Sequence, residues 1–241
     1  MDEKNDHLYY NRSKAEFDLK KYKEAIDSCE KCLEINPGYC EAWNIRGLAL
    51  EGLGRLEEAM ASFEKSLEIN PSYIPALNNL AKLRGRLART SQDLMAVIEL
   101  IEKTLKIAPK SHEALANRGV AYASLSSFGG GMTPLNPFLL EAVSSYEKAL
   151  DINPNNPEVL NNFGLALAQT GQLEKSIVNF NKAVRIKPKY KDAYHNRGVS
   201  LYNLRRYKEA LSDFDKALQI DPYDEQTKSI RNSTLRKLGR Y

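Results

Sequence analysis

Reactive side chains are scarce in this sequence. Its 241 residues hold three histidines, three cysteines and one tryptophan. His7, His112 and His195 stand far apart, and none has a triad, metal or phosphate motif beside it, so a protein that is not an enzyme is expected. An odd number of cysteines offers no disulfide framework and suggests a reducing compartment, so the expected location is cytoplasmic. Met1-Asp-Glu-Lys-Asn-Asp is not followed by the apolar core of a secretory signal. Residues 119–140 carry no charge, but a glycine triplet at 129–131 and Pro134 and Pro137 break the run, so no membrane span is expected. No Lys-Ser/Thr follows that triplet at phosphate-loop spacing, and no cofactor is expected. Net charge is slight, +4, but uneven: residues 182–241 carry 15 Lys/Arg against 7 Asp/Glu, a net +8 that leaves about −4 elsewhere. A basic end of this kind suits nucleic acid, an acidic partner, or simply a solvated, helix-supporting surface.

What the sequence does have is a repeated closing phrase. It reads Leu33-Glu-Ile-Asn-Pro37, Leu67-Glu-Ile-Asn-Pro71, Leu105-Lys-Ile-Ala-Pro109, Leu150-Asp-Ile-Asn-Pro154, Val184-Arg-Ile-Lys-Pro188 and Leu218-Gln-Ile-Asp-Pro222. The closing prolines lie 34, 38, 45, 34 and 34 residues apart, a fixed period with two insertions. In the copy from Lys189 to Pro222, apolar or small residues at Tyr194, Gly198 and Leu201 form one helical stripe, and Tyr207, Ala210, Phe214 and Ala217 form a second. Asn203-Leu-Arg-Arg206 turns between them, and Pro222 ends the second helix, because proline lacks an N–H and disfavours helical geometry in the residue before it.

This helix–turn–helix unit, with Trp or Tyr, Gly, Leu, Tyr, Ala, Phe and Pro at set offsets, resembles the tetratricopeptide repeat (TPR) family. The resemblance implies an all-α, right-handed α-solenoid of six units plus a C-terminal capping helix, forming one domain over 1–241. The expected repeats are 6–37, 40–71, 72–109 with four extra residues, 110–154 with eleven, 155–188 and 189–222, with the cap at 223–241. Each unit alone leaves an apolar face bare, so stability must come from the interfaces between neighbours.

Copy one departs from the pattern, as a terminal repeat does, with Tyr9, Ser13 and Glu16 on its first helix. Cys29 and Cys32, with Cys40 and His7 nearby, have a spacing that suggests zinc, but both cysteines occupy core positions, so buried, inert thiols and no metal are expected. Gly54 suits a left-handed helix cap. The extra residues of copy three, 84–91, are expected to lengthen its first helix by about a turn, with Thr90 or Ser91 and Asp93 capping its second. In copy four the insertion spans 126–138, and Asn136-Pro137 suits an N-cap and first turn. Phe128, Met132 and Leu135 of that insertion either fold over the stack, present a partner contact, or belong to a tolerated surface loop. In the tail, Thr227, Ile230, Leu235 and Leu238 are expected to cover the flank of copy six.

If positions 4, 8 and 11 of a first helix face its own second helix, positions 2, 5, 6, 9, 12 and 13 point elsewhere. In the family this chain resembles, those positions line the concave face. Position 6 holds Asn11, Ile45, Asn79, Asn117, Asn162 and Asn196, and Asn44, Asn78 and Asn161 stand at position 5. An amide both donates and accepts, so a row of them can pair with the main chain of an extended peptide whatever its side chains. The alternative is that these amides meet water or bond a neighbouring helix. The expected groove residues are Tyr10, Asn11, Lys14, Asn44, Asn78, Asn79, Lys82, Asn117, Asn161, Asn162, His195 and Asn196. The arrangement used by chaperone-tail-binding members needs Lys at position 5 and Asn at 9 of one copy, Asn at 6 of the next, then Lys at 2 and Arg at 6 of the third. No three successive copies supply it, so recognition of chaperone C-terminal tails is not expected. Acids recur at position 2 (Glu41, Glu113, Glu158, Asp192), either favouring a basic segment or complementing the helix dipole. Arg12, Arg46, Arg118 and Arg197 recur at position 7, where a structural pairing with acids is expected.

The leading expectation is therefore a scaffold or adaptor that binds an extended or helical protein segment. The competing one is an RNA-binding solenoid using the basic C-terminal third, with Tyr190, Tyr194, Tyr202, Tyr207 and Tyr223 as stacking surfaces. An exposed groove or a swapped tail also offers a route to a homo-oligomer.

Overall fold

The computed structural model describes residues 5–128 and 136–239. Among these residues it holds thirteen α-helices and no strand. They are α1 (Asp6–Asp18), α2 (Tyr22–Ile35), α3 (Cys40–Gly52), α4 (Leu56–Ile69), α5 (Ile74–Leu87), α6 (Ser91–Ile107), α7 (His112–Phe128), α8 (Pro137–Ile152), α9 (Pro157–Gln169), α10 (Leu173–Ile186), α11 (Lys191–Asn203), α12 (Tyr207–Ile220) and α13 (Glu225–Lys237). Contacts concentrate in two units, residues 1–117 and 118–241. In the first, α1 packs on α2, α3 on α4 and α5 on α6, while α2 meets α3 and α4 meets α5. In the second, α9 packs on α10, α11 on α12, and α13 on α12 and α11.

The core of each pair is a close approach of backbone and ring. A Cβ on Gly47 would lie 2.5 Å from the Phe63 ring, and one on Gly164 would lie 2.7 Å from Phe180. Only a missing side chain lets the two helices come so near. Gly119 receives Tyr146 and Gly198 receives Phe214 in the same way. Copy one solves the same packing problem with opposite sizes: buried Ser13 touches buried Cys29, a small thiol where copies two, four, five and six carry a ring. The three cysteines are buried and unpaired, and burial pushes each thiol up to about 11.

Helix ends follow local chemistry. At Gly54 (φ 77°) and Gly171 (φ 81°) the chain turns through the left-handed region, and the Arg55 and Gln172 N–H groups bond back to Leu50 and Leu167 carbonyls. Thr90 and Asp93 form a reciprocal capping box at α6, and the Asn136 side chain accepts from the Phe138 and Leu139 N–H groups at α8, with Pro137 next. One expectation needs correction. The four extra residues of copy three do not lengthen its first helix by a turn: α5 has 14 residues against 13 in α3, whereas α6 has 17 against 14 in α4. The Thr90–Asp93 cap starts α6 early and assigns three of the four to the second helix. Phe128 is exposed at the end of α7, and Met132 and Leu135 lie outside the described residues.

The tail forms α13. Thr227 and, unexpectedly, Thr234 are buried, and Ile230 packs on the Leu201–Phe214 cluster. Polar ties reinforce it: Lys191 Nζ lies 2.9 Å from Asp224, which caps α13, and Arg231 Nε lies 2.6 Å from Asp215.

Candidate functional site

The asparagines meet where successive first helices touch. In the first unit, α1 contacts α3 and α3 contacts α5; in the second, α9 contacts α11 and α11 contacts α13. A side chain at position 5 of one helix and position 6 of the next face each other across such a seam. Asn79 Nδ2 donates to Asn44 Oδ1 at 2.9 Å, and Asn196 Nδ2 donates to Asn161 Oδ1 at 3.0 Å. The repeat period places the same bond in both units. Asn117 Nδ2 donates to the Asn78 carbonyl at 3.3 Å, Asn78 Nδ2 to Ser111 Oγ at 3.4 Å, and Asn161 Nδ2 to Asn162 Oδ1 at 3.3 Å. The amides therefore do bond neighbouring helices. Asn44 and Asn161 are buried under their partners, while Asn78, Asn79, Asn117, Asn162 and Asn196 stay partly exposed. An amide has two N–H groups and two carbonyl lone pairs, so one seam bond leaves the partly exposed amides with further donors and acceptors.

The remaining expected residues are placed unequally. Asn11, Lys14 and Lys82 are exposed on α1 and α5. Tyr10 stacks on Tyr39 with ring centroids 5.0 Å apart, and Tyr39 Oη lies 2.9 Å from His7 Nδ1. His195 is half-buried, with Nδ1 2.7 Å from Thr227 Oγ1, so this side chain is engaged by the capping helix. Burial holds its pKa below the ordinary histidine value.

The arginines at position 7 hold the helix pairs from the other side. Arg46 lies 3.1 Å from Glu30 and donates to Ser62 Oγ at 2.8 Å; Arg118 pairs with Glu141 at 3.2 Å and donates to Ser145 Oγ at 3.0 Å. Arg197 forms a two-pronged bond to Asp213 at 2.6 and 2.5 Å and also reaches Asn181 at 2.6 Å. Arg12 pairs with Glu16 of its own helix at 2.8 Å. These are structural pairings. Of the acids at position 2, Glu158 is held by Lys187 at 2.8 Å, and that bond sets its carboxyl below the usual range.

The tyrosines of the basic third are mostly occupied. Lys187 sits 4.5 Å over the Tyr190 ring, Arg197 and Lys216 both cover Tyr194, and Tyr202 meets Tyr207 edge-on at 5.3 Å. Tyr223, 85% exposed, is the free ring of the five.

The reading by amides passed over position 9. There the first unit has Lys14, Leu48 and Lys82, and the second has Val120, Leu165 and Val199, with Val120 and Leu165 about two-fifths exposed. The unbroken run of branched apolar residues at this position in the second unit was visible in the sequence. Its meaning was not, because an exposed valine is unremarkable until a cavity is seen beside it.

Comparison with known proteins places this geometry. Profiles described as tetratricopeptide repeat match residues 40–73 and 192–224, and residues 6–39; a profile described as TPR repeat matches 139–171 and 164–205. The heat shock protein sti1 homolog of Schizosaccharomyces pombe is 41% identical over 56 residues, which is 23% of this chain and 10% of that protein. The chain thus spans about a tenth of that relative's length. Among solved structures, Pseudomonas aeruginosa pilF matches with a TM-score of 0.78 at 13% identity, covering 95% of this chain and 97% of that one. YrrB, described as a TPR protein with an unusual peptide-binding site, matches with a TM-score of 0.59 at 21% identity, covering 85% of this chain and 97% of that one. At such identities the likeness is one of fold.

Proposed function

We propose, from the premise that this chain belongs to the tetratricopeptide repeat family, that it is a non-enzymatic protein-interaction scaffold whose asparagine seams hold the main chain of an extended peptide. The observation that carries the reading is the repeated amide bond, Asn79 to Asn44 and Asn196 to Asn161. Each bond fixes an amide's orientation in advance, so a peptide meets groups already aimed, and binding loses less side-chain entropy. Main-chain pairing by amides carries no demand for a particular side chain, which suits an adaptor. The description of YrrB as binding peptide is in keeping with this. Among the described helices, none is long and apolar enough to cross a membrane.

The test is a peptide-binding titration of the full chain carrying Asn117→Ala and Asn162→Ala together. Loss of two main-chain bonds should weaken binding about tenfold or more, with little response to added salt and an unchanged helical circular-dichroism spectrum. Unchanged affinity with an intact fold would overturn the reading. Salt-sensitive retention on RNA that survives both substitutions would favour the basic third instead.

A further inference from the structure

Beside Asn162, and wholly within the second unit, lies an open cavity of about 250 Å³ between the C-terminal half of α7 and α9. Val120, Ala123, Leu165 and Ala166 form the apolar part of its lining, Ser124, Ser127, Asn162 and Gln169 an uncharged polar part, and Tyr146 of α8 completes it. Three features define what can enter. The first is size: the cavity is smaller than the roughly 300–1,000 Å³ of small-molecule sites, and suits one large side chain. The second is charge: none of the residues lining it is ionised at neutral pH, so a charged occupant would meet no counter-charge. The third is Tyr146 itself. It is 2% exposed and lines the cavity; its hydroxyl has no hydrogen bond to another described residue, and since no buried side-chain oxygen among them lacks a partner, that hydroxyl keeps its small exposed area toward the cavity. At the corresponding place in copies two, five and six stand Phe63, Phe180 and Phe214, which have no such group. A phenol at this depth stays protonated, since burial pushes its pKa far up, and it is free to donate to a group that enters the cavity.

We infer that this cavity takes one tyrosine or tryptophan side chain of a bound extended peptide, whose polar edge hydrogen-bonds the Tyr146 hydroxyl. This rests on the proposed peptide-binding reading and adds to it a side-chain preference that the asparagines cannot supply. An aliphatic side chain would fill the walls but leave the phenol unmet. Serine, threonine and asparagine would reach it but leave the walls bare. An amphipathic aromatic satisfies both, with its ring against Leu165 and Val120 and its O–H or indole N–H at Tyr146. Asn162 at the rim is placed to hold the adjoining main chain.

Fluorescence-polarisation titrations with labelled heptapeptides Gly-Ser-Ala-X-Ala-Ser-Gly test it on the full chain. Peptides with X = Trp or Tyr should bind about tenfold tighter than X = Ala and severalfold tighter than X = Phe. Tyr146→Phe should erase the advantage of Trp and Tyr over Phe while keeping the fold, because phenylalanine already fills that place in three other copies. Leu165→Glu, at a partly exposed residue, should erase all dependence on X. Peptides that bind through the asparagines but show no dependence on X overturn the pocket and leave the groove standing. Binding of N-acetyl-tryptophanamide at Leu165 and Val120 by NMR, with no heptapeptide bound, overturns the groove and keeps the pocket as a site for the isolated side chain. A dimer in sedimentation that Leu165→Glu dissociates overturns the inference in favour of a second copy of this chain.

Discussion

Single residues decide how each helix pair turns. In four copies the first helix exits through one left-handed residue, which is Gly54 or Gly171 in two of them and Lys20 or Arg205, both at φ 60°, in the other two. The bonds that close these turns are the same: Lys21 N–H to the Glu16 carbonyl and Arg206 N–H to the Leu201 carbonyl, each 2.9 Å. The geometry is therefore demanded by the repeat, and an L side chain there is strained by about 1–2 kcal/mol. Lys20→Gly and Arg205→Gly should each stabilise the chain by roughly 0.5–1 kcal/mol after glycine's extra unfolded-state entropy is counted. A urea midpoint that falls in both variants would show that the side chains contribute more than the strain they cause. The sequence announced Gly54 but not Lys20, because nothing in a lysine marks it as left-handed; only the repeat register does.

At the scale of one helix, α13 is the element most dependent on titratable groups. Asp224, whose carboxyl is bonded by Lys191 Nζ and by the Thr227 N–H, has its pKa lowered to about 2, and His195, held low by burial, touches Thr227. The charged neighbours of this seam are Lys191, Asp192, Asp221 and Asp224. Both native pKa values lie below those of the unfolded chain, so the unfolded chain binds protons more readily and stability falls as pH falls. The histidine contribution should begin to fade below about 6.5, and the aspartate contribution between about 4 and 2. Amide exchange of α13, followed from pH 8 to 3, should speed up relative to α9 and α10 on acidification, and Asp224→Asn should remove the lower of the two phases. Exchange of α13 that parallels α9 throughout would count against it. Hydrophobic spacing foretold this helix from Thr227, Ile230 and Leu235, but the polar ties were hidden, since Lys191 and Asp215 lie on other helices.

For the molecule as a whole, period and packing divide the labour. Six proline-closed phrases fixed the number of helix pairs, yet contacts concentrate within two units, with a boundary at 117 and 118 inside α7. Repeat proteins lose structure locally because each copy depends on its neighbours. Native-state hydrogen exchange in rising denaturant should therefore resolve residues 5–117 and 118–239 as separate cooperative blocks. Loss of protection at one common midpoint would show a single cooperative body. Of the rings that would have stacked bases, Tyr190 and Tyr194 are covered by Lys187, Arg197 and Lys216, and Tyr202 and Tyr207 meet each other, which leaves Tyr223.

By itself the sequence determined the all-helical repeat, the helix boundaries set by Asn136, Pro137 and Gly54, and the burial of Cys29 and Cys32. Each of these follows from spacing along the chain or from a residue's own backbone preference. The tertiary structure alone decided that Asn79 bonds Asn44, that copy three extends its second helix, and that Tyr146 stands over an empty space between Val120 and Leu165. Those outcomes depend on groups more than thirty residues apart in sequence, or on the competition between two caps, and neither distance nor competition is written in any one segment.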